Sequence, residues 1–347
     1  MMAMIPVRFV RTFAITAVCL LAATSGAYAQ DAAQAQADFI ARMVASHGFE
    51  RDSLEALFAE IEINDRVLAA ISRPAERVLA WHEYQDLFLN EARIASGVEF
   101  WTENAGRIEA VSEAYGVPAQ MIVAILGIET WFGTRMGSYR VLESLSTLAF
   151  AYPRRSRFFS NELEAFLLLA RDEQFDPLGV LGSYAGAMGA GQFIPTSFRA
   201  YAVDGDSDGR RDLWGNWEDV LGSVANYFKV HGWRADEPVV ARAARAPGDA
   251  SPEPANSMDL NETVASLKER GYEFTTAFPE STPVTVLGLE GRDGTEYWVG
   301  YHNFRVITRY NRSVMYALVA QQLGEAIAAA LEQSAVTQPL AQTEDAA

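Results

Sequence analysis

Glu129 stands near the end of an apolar stretch, AQMIVAILGIETWF at 119–132, with Ile122, Ile125 and Leu126 seven, four and three residues before it. In a helix those positions share one face, which places the carboxyl on an apolar side. Desolvation disfavours the charged form and lifts a carboxyl from ~4.3 toward the ~6–7 useful to a general acid. A structural glutamate paired with Arg135 or Arg140 suits the same placement, and this helix alone leaves both readings open. In GSYAGAMGAGQFIPTSF, 182–198, glycine and alanine keep side chains small while Ser183, Gln192, Thr196 and Ser197 supply hydrogen-bonding groups. Such a stretch fits either the wall of a carbohydrate cleft or a close helix contact. Asp204-Gly205-Asp206-Ser207-Asp208-Gly209-Arg210 opens like a calcium loop, with carboxylates at positions 1, 3 and 5, glycine at 6 and a backbone carbonyl at 7. Position 12 is Gly215, and Glu218 three residues further would close an expanded loop.

Other chemistries are excluded by spacing. The only lysines, Lys229 and Lys268, lie outside any glycine-rich turn, which rules out a GxxxxGK phosphate loop. Around Ser183 the GxSxG pattern fails, and His47, His82, His231 and His302 form no HExxH pair. With 28 Lys+Arg against 45 Asp+Glu, the net charge of −17 argues against a nucleic-acid partner.

Several elements must position these groups. Apolar residues recur at helical spacing from Ala33 to about Glu113, predicting a helical domain over 30–115. Pro118 then opens the Glu129 helix and Gly133 is expected to cap it. Further helices are predicted over Glu162–Arg171 and 216–232, completing a core at 116–235. Between 236 and 308 a linker rich in Ala, Pro and Asp leads into β-rich runs, VTVLGLE, EYWVGYH and FRVIT, with Arg292-Asp293-Gly294 as a hairpin turn. A C-terminal helix over 309–333 and a disordered tail at 334–347 finish the chain. No internal repeat is present.

The 347 residues are half hydrophobic, an ordinary globular composition able to bury a core. Arg8 and Arg11, the apolar run from Phe13 to Ala23, and Ala27-Tyr28-Ala29 form a secretory signal peptide over 1–29. That run is too short to span a bilayer, so no stable membrane span is expected in the mature form. Cys19, the only cysteine, lies inside the run, and the mature chain carries no disulfide.

Taken together, GIETWFG at 127–133, the stretch from Tyr152 to Phe198, the calcium-like loop, LGSVANYFKVHGW at 221–233 and NFRVITRYNRSVMYA at 303–317 resemble the lytic murein transglycosylase B family. The likeness runs from about Trp81 to Ile327. It implies an α+β, mainly α fold: a lysozyme-like core with a flanking helical domain and a small β-rich domain. The implied enzyme is periplasmic and cuts the MurNAc–GlcNAc β-1,4 bond of peptidoglycan without water, leaving 1,6-anhydroMurNAc ends. Its catalytic acid/base falls on Glu129, its cleft residues on Tyr84, Ser183, Gln192, Phe193, Tyr227, Tyr310, Asn311 and Tyr316. The ligands of a structural calcium fall on Asp204, Asp206, Asp208, Arg210 through its carbonyl, and Glu218. Peptidoglycan strands are the implied partner, with cell-wall synthesis or remodelling proteins as further ones; no organic cofactor is implied. Two features depart from the family pattern. Trp131 replaces the arginine that commonly follows the Glu-Thr pair, and no lipid attachment site is present, which shifts the expected location to the periplasm. A muramidase using the same glutamate with water, or an inactive peptidoglycan-binding scaffold, are the alternatives.

Overall fold

A computed structural model describes residues 31–72, 79–245 and 252–337. The expected signal peptide and all of the expected tail beyond 337 lie outside them. The chain divides into two compact units whose boundaries differ from the sequential domains read above: one combines the N-terminal helices with 138–187, the other joins 74–137 to everything after Met188.

In the first unit, helices 31–47, Arg51–Ala59 and Asp65–Ser72 are joined by Val141–Ala151 and Ser156–Asp172, with a two-residue ladder pairing Tyr139–Arg140 and Leu181–Gly182. Its core is built on aromatic edges: Phe39, Phe58 and Phe150 meet at centroid distances of 5.8, 5.8 and 5.9 Å. Asn64 caps the third helix through its side-chain oxygen and donates from its amide to Glu143 at 2.5 Å. A Cβ at Gly182 would come 2.2 Å from the Ala187 carbonyl, so this crossing requires glycine.

The second unit carries Glu129. Its helix, Ala119–Thr130, is apolar on every side and packs against Glu91–Glu103, Ala105–Tyr115, Trp217–Val230 and the long last helix Val314–Thr337. That last helix is long and apolar enough to cross a membrane over Val314–Val336, yet Tyr316 through Ala320, Leu323 and Ile327 are buried. At Gly324 a Cβ would come 2.7 Å from the Gln120 carbonyl, and the absent side chain lets the two helices close. The helix also runs through residues 334–337, where the tail was expected to begin.

Five antiparallel strands form the sheet, in the order Glu262–Thr263, Pro283–Gly291, Gly294–Gly300, Val240–Arg245, Tyr272–Glu273. The expected hairpin is its centre, while two expectations fail. Val240–Arg245, expected as linker because Ala and Arg carry little β signal, is a strand held between two neighbours by ladder bonds on both sides. FRVIT, expected as a strand, lies in the helix His302–Tyr310, which buries Asn303, Phe304, Val306, Ile307 and Thr308. A short β-branched run is ambiguous between the two periods, and burial of one helical face decides it.

Candidate active site

The Glu129 helix stops abruptly. Trp131, Phe132 and Gly133 are all left-handed, with φ of 51°, 55° and 82°, so the expected glycine cap is displaced by a tryptophan two residues earlier. Two consecutive bulky residues in this region carry strain that the surroundings must hold. Phe132 folds back until its ring lies where a Cβ of Gly127 would be, 2.8 Å away, and stacks on Phe100 at 5.4 Å. Thr130 fastens the turn from inside: its hydroxyl donates to the Ala190 carbonyl at 2.7 Å and accepts from the Gly133 amide at 3.0 Å. The alanine-rich stretch is thereby tied directly to the end of the glutamate helix.

Trp131 is held by cations. The guanidinium groups of Arg93 and Arg135 lie 4.3 and 4.5 Å from its ring, and its indole N–H donates to Ser96 at 3.1 Å. Arg93 is buried and donates to the Gly127 carbonyl at 2.6 Å, two residues before the glutamate. Burial, then repulsion from Arg135, lowers its pKa from the ordinary arginine value. Neither Arg135 nor Arg140 forms the ion pair with Glu129 that the sequence left open; among the described residues, the partner of Glu129 is a phenol.

Tyr316, on the last helix, donates its hydroxyl to Glu129 Oε1 at 2.6 Å. The glutamate keeps part of its surface open to solvent while its carboxyl group is enclosed by protein. Burial pushes the carboxyl up to about 7, and the Tyr316 hydrogen bond opposes this by favouring the ionised form. Three tyrosines feel the same charge. Tyr84 is raised to about 12, by burial first and Glu129 second, and Tyr310 and Tyr316 are raised by the same two causes in the same order. All three phenols therefore stay protonated, and of them Tyr316 is the one that donates to the carboxyl.

The other expected cleft residues divide into two groups. Phe193, Tyr227 and Tyr310 form an aromatic cluster with centroids 4.7 to 5.8 Å apart. Tyr310 donates to the Gly191 carbonyl at 2.7 Å and Tyr227 to the Arg309 carbonyl at 2.6 Å. Phe193, Tyr227 and Tyr316 are buried, so these rings back the site rather than offering open faces for sugar stacking. Gln192, left-handed at φ 51°, donates its amide to the Met136 and Gly189 carbonyls, which leaves its side-chain oxygen free of partners among the described residues. Asn311 is exposed, in extended backbone just after the helix that carries Tyr310. Ser183 belongs to the other unit, where its hydroxyl accepts from the Ala185 and Ala187 amides and closes a turn.

The acidic loop is wound by its own carboxylates: Asp204 accepts from the amides of Asp208 and Gly209, Asp206 from Asp208 and the Asn216 side chain, Asp208 from Arg210. Carboxylate oxygens of Asp204, Asp206 and Asp219 lie within 4.8 Å of one another. This corrects the expected set. Glu218 gives its carboxylate to Arg107 at 2.5 Å, whereas its neighbour Asp219, buried at the start of the helix Trp217–Val230, turns toward the loop and accepts from the Gly205 and Asp212 amides at 2.6 and 2.7 Å. Burial raises the Asp219 carboxyl. A buried carboxylate beside two others is costly in itself and suits a hard cation, so the residues fit calcium.

The comparisons agree with this geometry. Residues 31–325 match the family model described as the transglycosylase SLT domain. The membrane-bound lytic murein transglycosylase B of Escherichia coli K12 is 40% identical over 302 residues, covering 84% of this chain and 82% of that protein. Among solved structures, catenated SltB1 of Pseudomonas aeruginosa is 48% identical with a TM-score of 0.82, over 85% of this chain and 97% of that one. The E. coli lytic transglycosylase Slt35 in complex with calcium is 40% identical with a TM-score of 0.79, over 86% and 94%. With a family model spanning most of its length and such relatives covered over four fifths or more of theirs, the chain belongs to the SLT transglycosylase family.

Proposed function

We infer that this chain cleaves the MurNAc–GlcNAc β-1,4 bond of peptidoglycan non-hydrolytically, leaving 1,6-anhydroMurNAc ends, with Glu129 as its one acid and base. The observation that carries this reading is a single enclosed carboxyl poised near neutrality and hydrogen-bonded by a phenol, with no other carboxylate among the described residues contributing to its raised pKa. Ordinary glycosidases divide the work between two carboxylates. A lone group must first donate a proton and then accept one, and a pKa of about 7 serves both directions at neutral pH.

The Tyr316 hydroxyl occupies Oε1, so the transferable proton resides on Oε2. In the first step Oε2–H protonates the leaving glycosidic oxygen as the anomeric bond breaks. The resulting carboxylate, stabilised by Tyr316, then takes the proton of the muramic 6-hydroxyl as that oxygen closes on the anomeric carbon. Because the attacking group belongs to the substrate, the protein's task is to hold it in place and exclude water. Gln192 and Asn311 offer amide groups for sugar hydroxyls. Calcium would be held by Asp204, Asp206 and Asp219 with backbone oxygens of the loop, where it neutralises clustered carboxylates and fixes the turn. An exported, cell-envelope location follows from the substrate and from the leader read at 1–29.

Digestion of purified peptidoglycan, followed by mass analysis of the muropeptides, tests the reading. Products one water lighter than hydrolysis products are expected from the native protein, and none from Glu129→Gln. Reducing ends from the native protein would make the chain a muramidase and overturn it.

A further inference from the structure

The end of the helix Trp217–Val230 and the helix His302–Tyr310 enclose a pocket of about 300 Å³ lined by His231, His302, Arg305, Val306 and Arg309. Two arginines and two histidines converge here in a chain whose acids outnumber its bases by 45 to 28. Arg305 meets Asp259 at 3.6 Å with both side chains largely exposed, a pairing that leaves its charge available. Arg309 has no ion pair among the described residues.

The two imidazoles are oriented by carbonyls. His231 Nδ1 lies 2.7 Å from the Tyr227 carbonyl and His302 Nε2 lies 2.7 Å from that of Gly232. A carbonyl only accepts, so each contacting nitrogen carries the proton, and in the neutral ring the other nitrogen is an acceptor. With the rings in the tautomers these carbonyls select, the pocket presents two cationic forks beside two acceptor nitrogens. A phosphate satisfies the forks but sets its oxygens against the imidazole lone pairs. A peptide with a free carboxylate satisfies both: the carboxylate pairs with guanidinium and the amide N–H groups donate to the imidazoles.

We propose that this pocket binds a carboxylate of the peptide stem carried by the muramic residue, so that the chain reads the peptide as well as the glycan. This rests on the peptidoglycan assignment above. The pocket shares a wall with the candidate active site: the Tyr227 ring stacks on His231 at 4.1 Å and meets Tyr310 at 4.7 Å, while the Tyr227 hydroxyl holds the Arg309 carbonyl. Occupancy of the pocket therefore bears on the helix that delivers Tyr310.

The test uses the mature full-length protein and a short peptide ending in a D-alanine carboxylate, its C-terminal amide, and inorganic phosphate as probes. The histidine ring resonances are followed by NMR. The acid is expected to shift the His231 and His302 signals saturably, the amide far less, and Arg309→Ala to weaken binding roughly fivefold. Phosphate competing better than the acid would overturn the peptide assignment, and equal shifts with chloride would mean an adventitious ion only. In the anhydro-product assay, the KM advantage of stem-bearing over stem-free strands is expected to shrink in Arg305→Ala/Arg309→Ala. An unchanged ratio would overturn the proposal even with anhydro products formed. Absence of anhydro products from the native protein would instead sink the glycan reading on which it rests.

Discussion

Removing the Tyr316 hydroxyl isolates the contact that tunes Glu129. Tyr316→Phe keeps the buried ring and deletes only the oxygen that donates to Oε1 at 2.6 Å. That hydrogen bond favours the ionised carboxyl, so its loss leaves desolvation unopposed and the pKa rises above its value of about 7. A hydrogen bond to a charged group contributes about 1.5–3 kcal/mol, and 1.36 kcal/mol corresponds to one pH unit, so the expected rise is roughly one to two units. The assay is anhydro-product formation against pH, read as kcat/KM, which reports the free enzyme. In the native protein the rate should fall as pH rises through about 7 and the donor proton is lost. In Tyr316→Phe this limb should move to higher pH by one unit or more. The maximal rate should drop as well, because the carboxylate formed after proton donation has lost its donor. A limb at the native position, with the protein folded, would refute the claim that Tyr316 sets the proton affinity of Glu129.

Other outcomes follow from the same geometry. Because the folded-state pKa of Glu129 lies above its unfolded value, the native protein loses stability as pH rises from about 4.5 to about 7. Glu129→Gln removes that ionisation, so its melting temperature should exceed the native one at pH 8, by up to about 3 kcal/mol in stability, and match it near pH 4; equal melting at both would contradict the enclosed carboxyl. Arg93→Met deletes the guanidinium bonded to Gly127 and should cost about 2 kcal/mol in thermal denaturation, with Arg93→Lys failing to restore the fork geometry over Trp131. Calcium at a hundred times its dissociation constant should stabilise the native protein by about 2.7 kcal/mol. That response should vanish in Asp219→Asn and persist in Glu218→Gln, because Arg107 already holds Glu218; the reverse order would restore Glu218 as the ligand.

The parts of the site legible in the sequence are those written in one segment. Glu129 shows itself by the apolar residues three, four and seven positions before it, and the acidic loop by carboxylates on alternate residues. What escaped lies in long-range geometry. Arg93 is one arginine among many until the fold places it against the Gly127 carbonyl, and Asp219 is indistinguishable from Glu218 until the helix start turns one toward the loop and the other toward Arg107. Thr130 was visible beside the glutamate, but its two hydrogen bonds depend on where Ala190 and Gly133 come to rest. The strand Val240–Arg245 had no local signal because its stability comes from ladder bonds to partners some 30 to 60 residues away.

The tie between Tyr316 and Glu129 joins residues 187 positions apart in the chain. A polypeptide synthesised from its N-terminus presents the glutamate long before the helix Val314–Thr337 emerges to supply the hydroxyl. Until then the helix Ala119–Thr130 lacks one of the elements that enclose it. A chain that stalls during synthesis, or one clipped by a protease ahead of Val314, thus carries its acid in an untuned state. Competence to cut the polymer that surrounds the cell is deferred to the last segment delivered, and emergence of the whole chain becomes the safeguard.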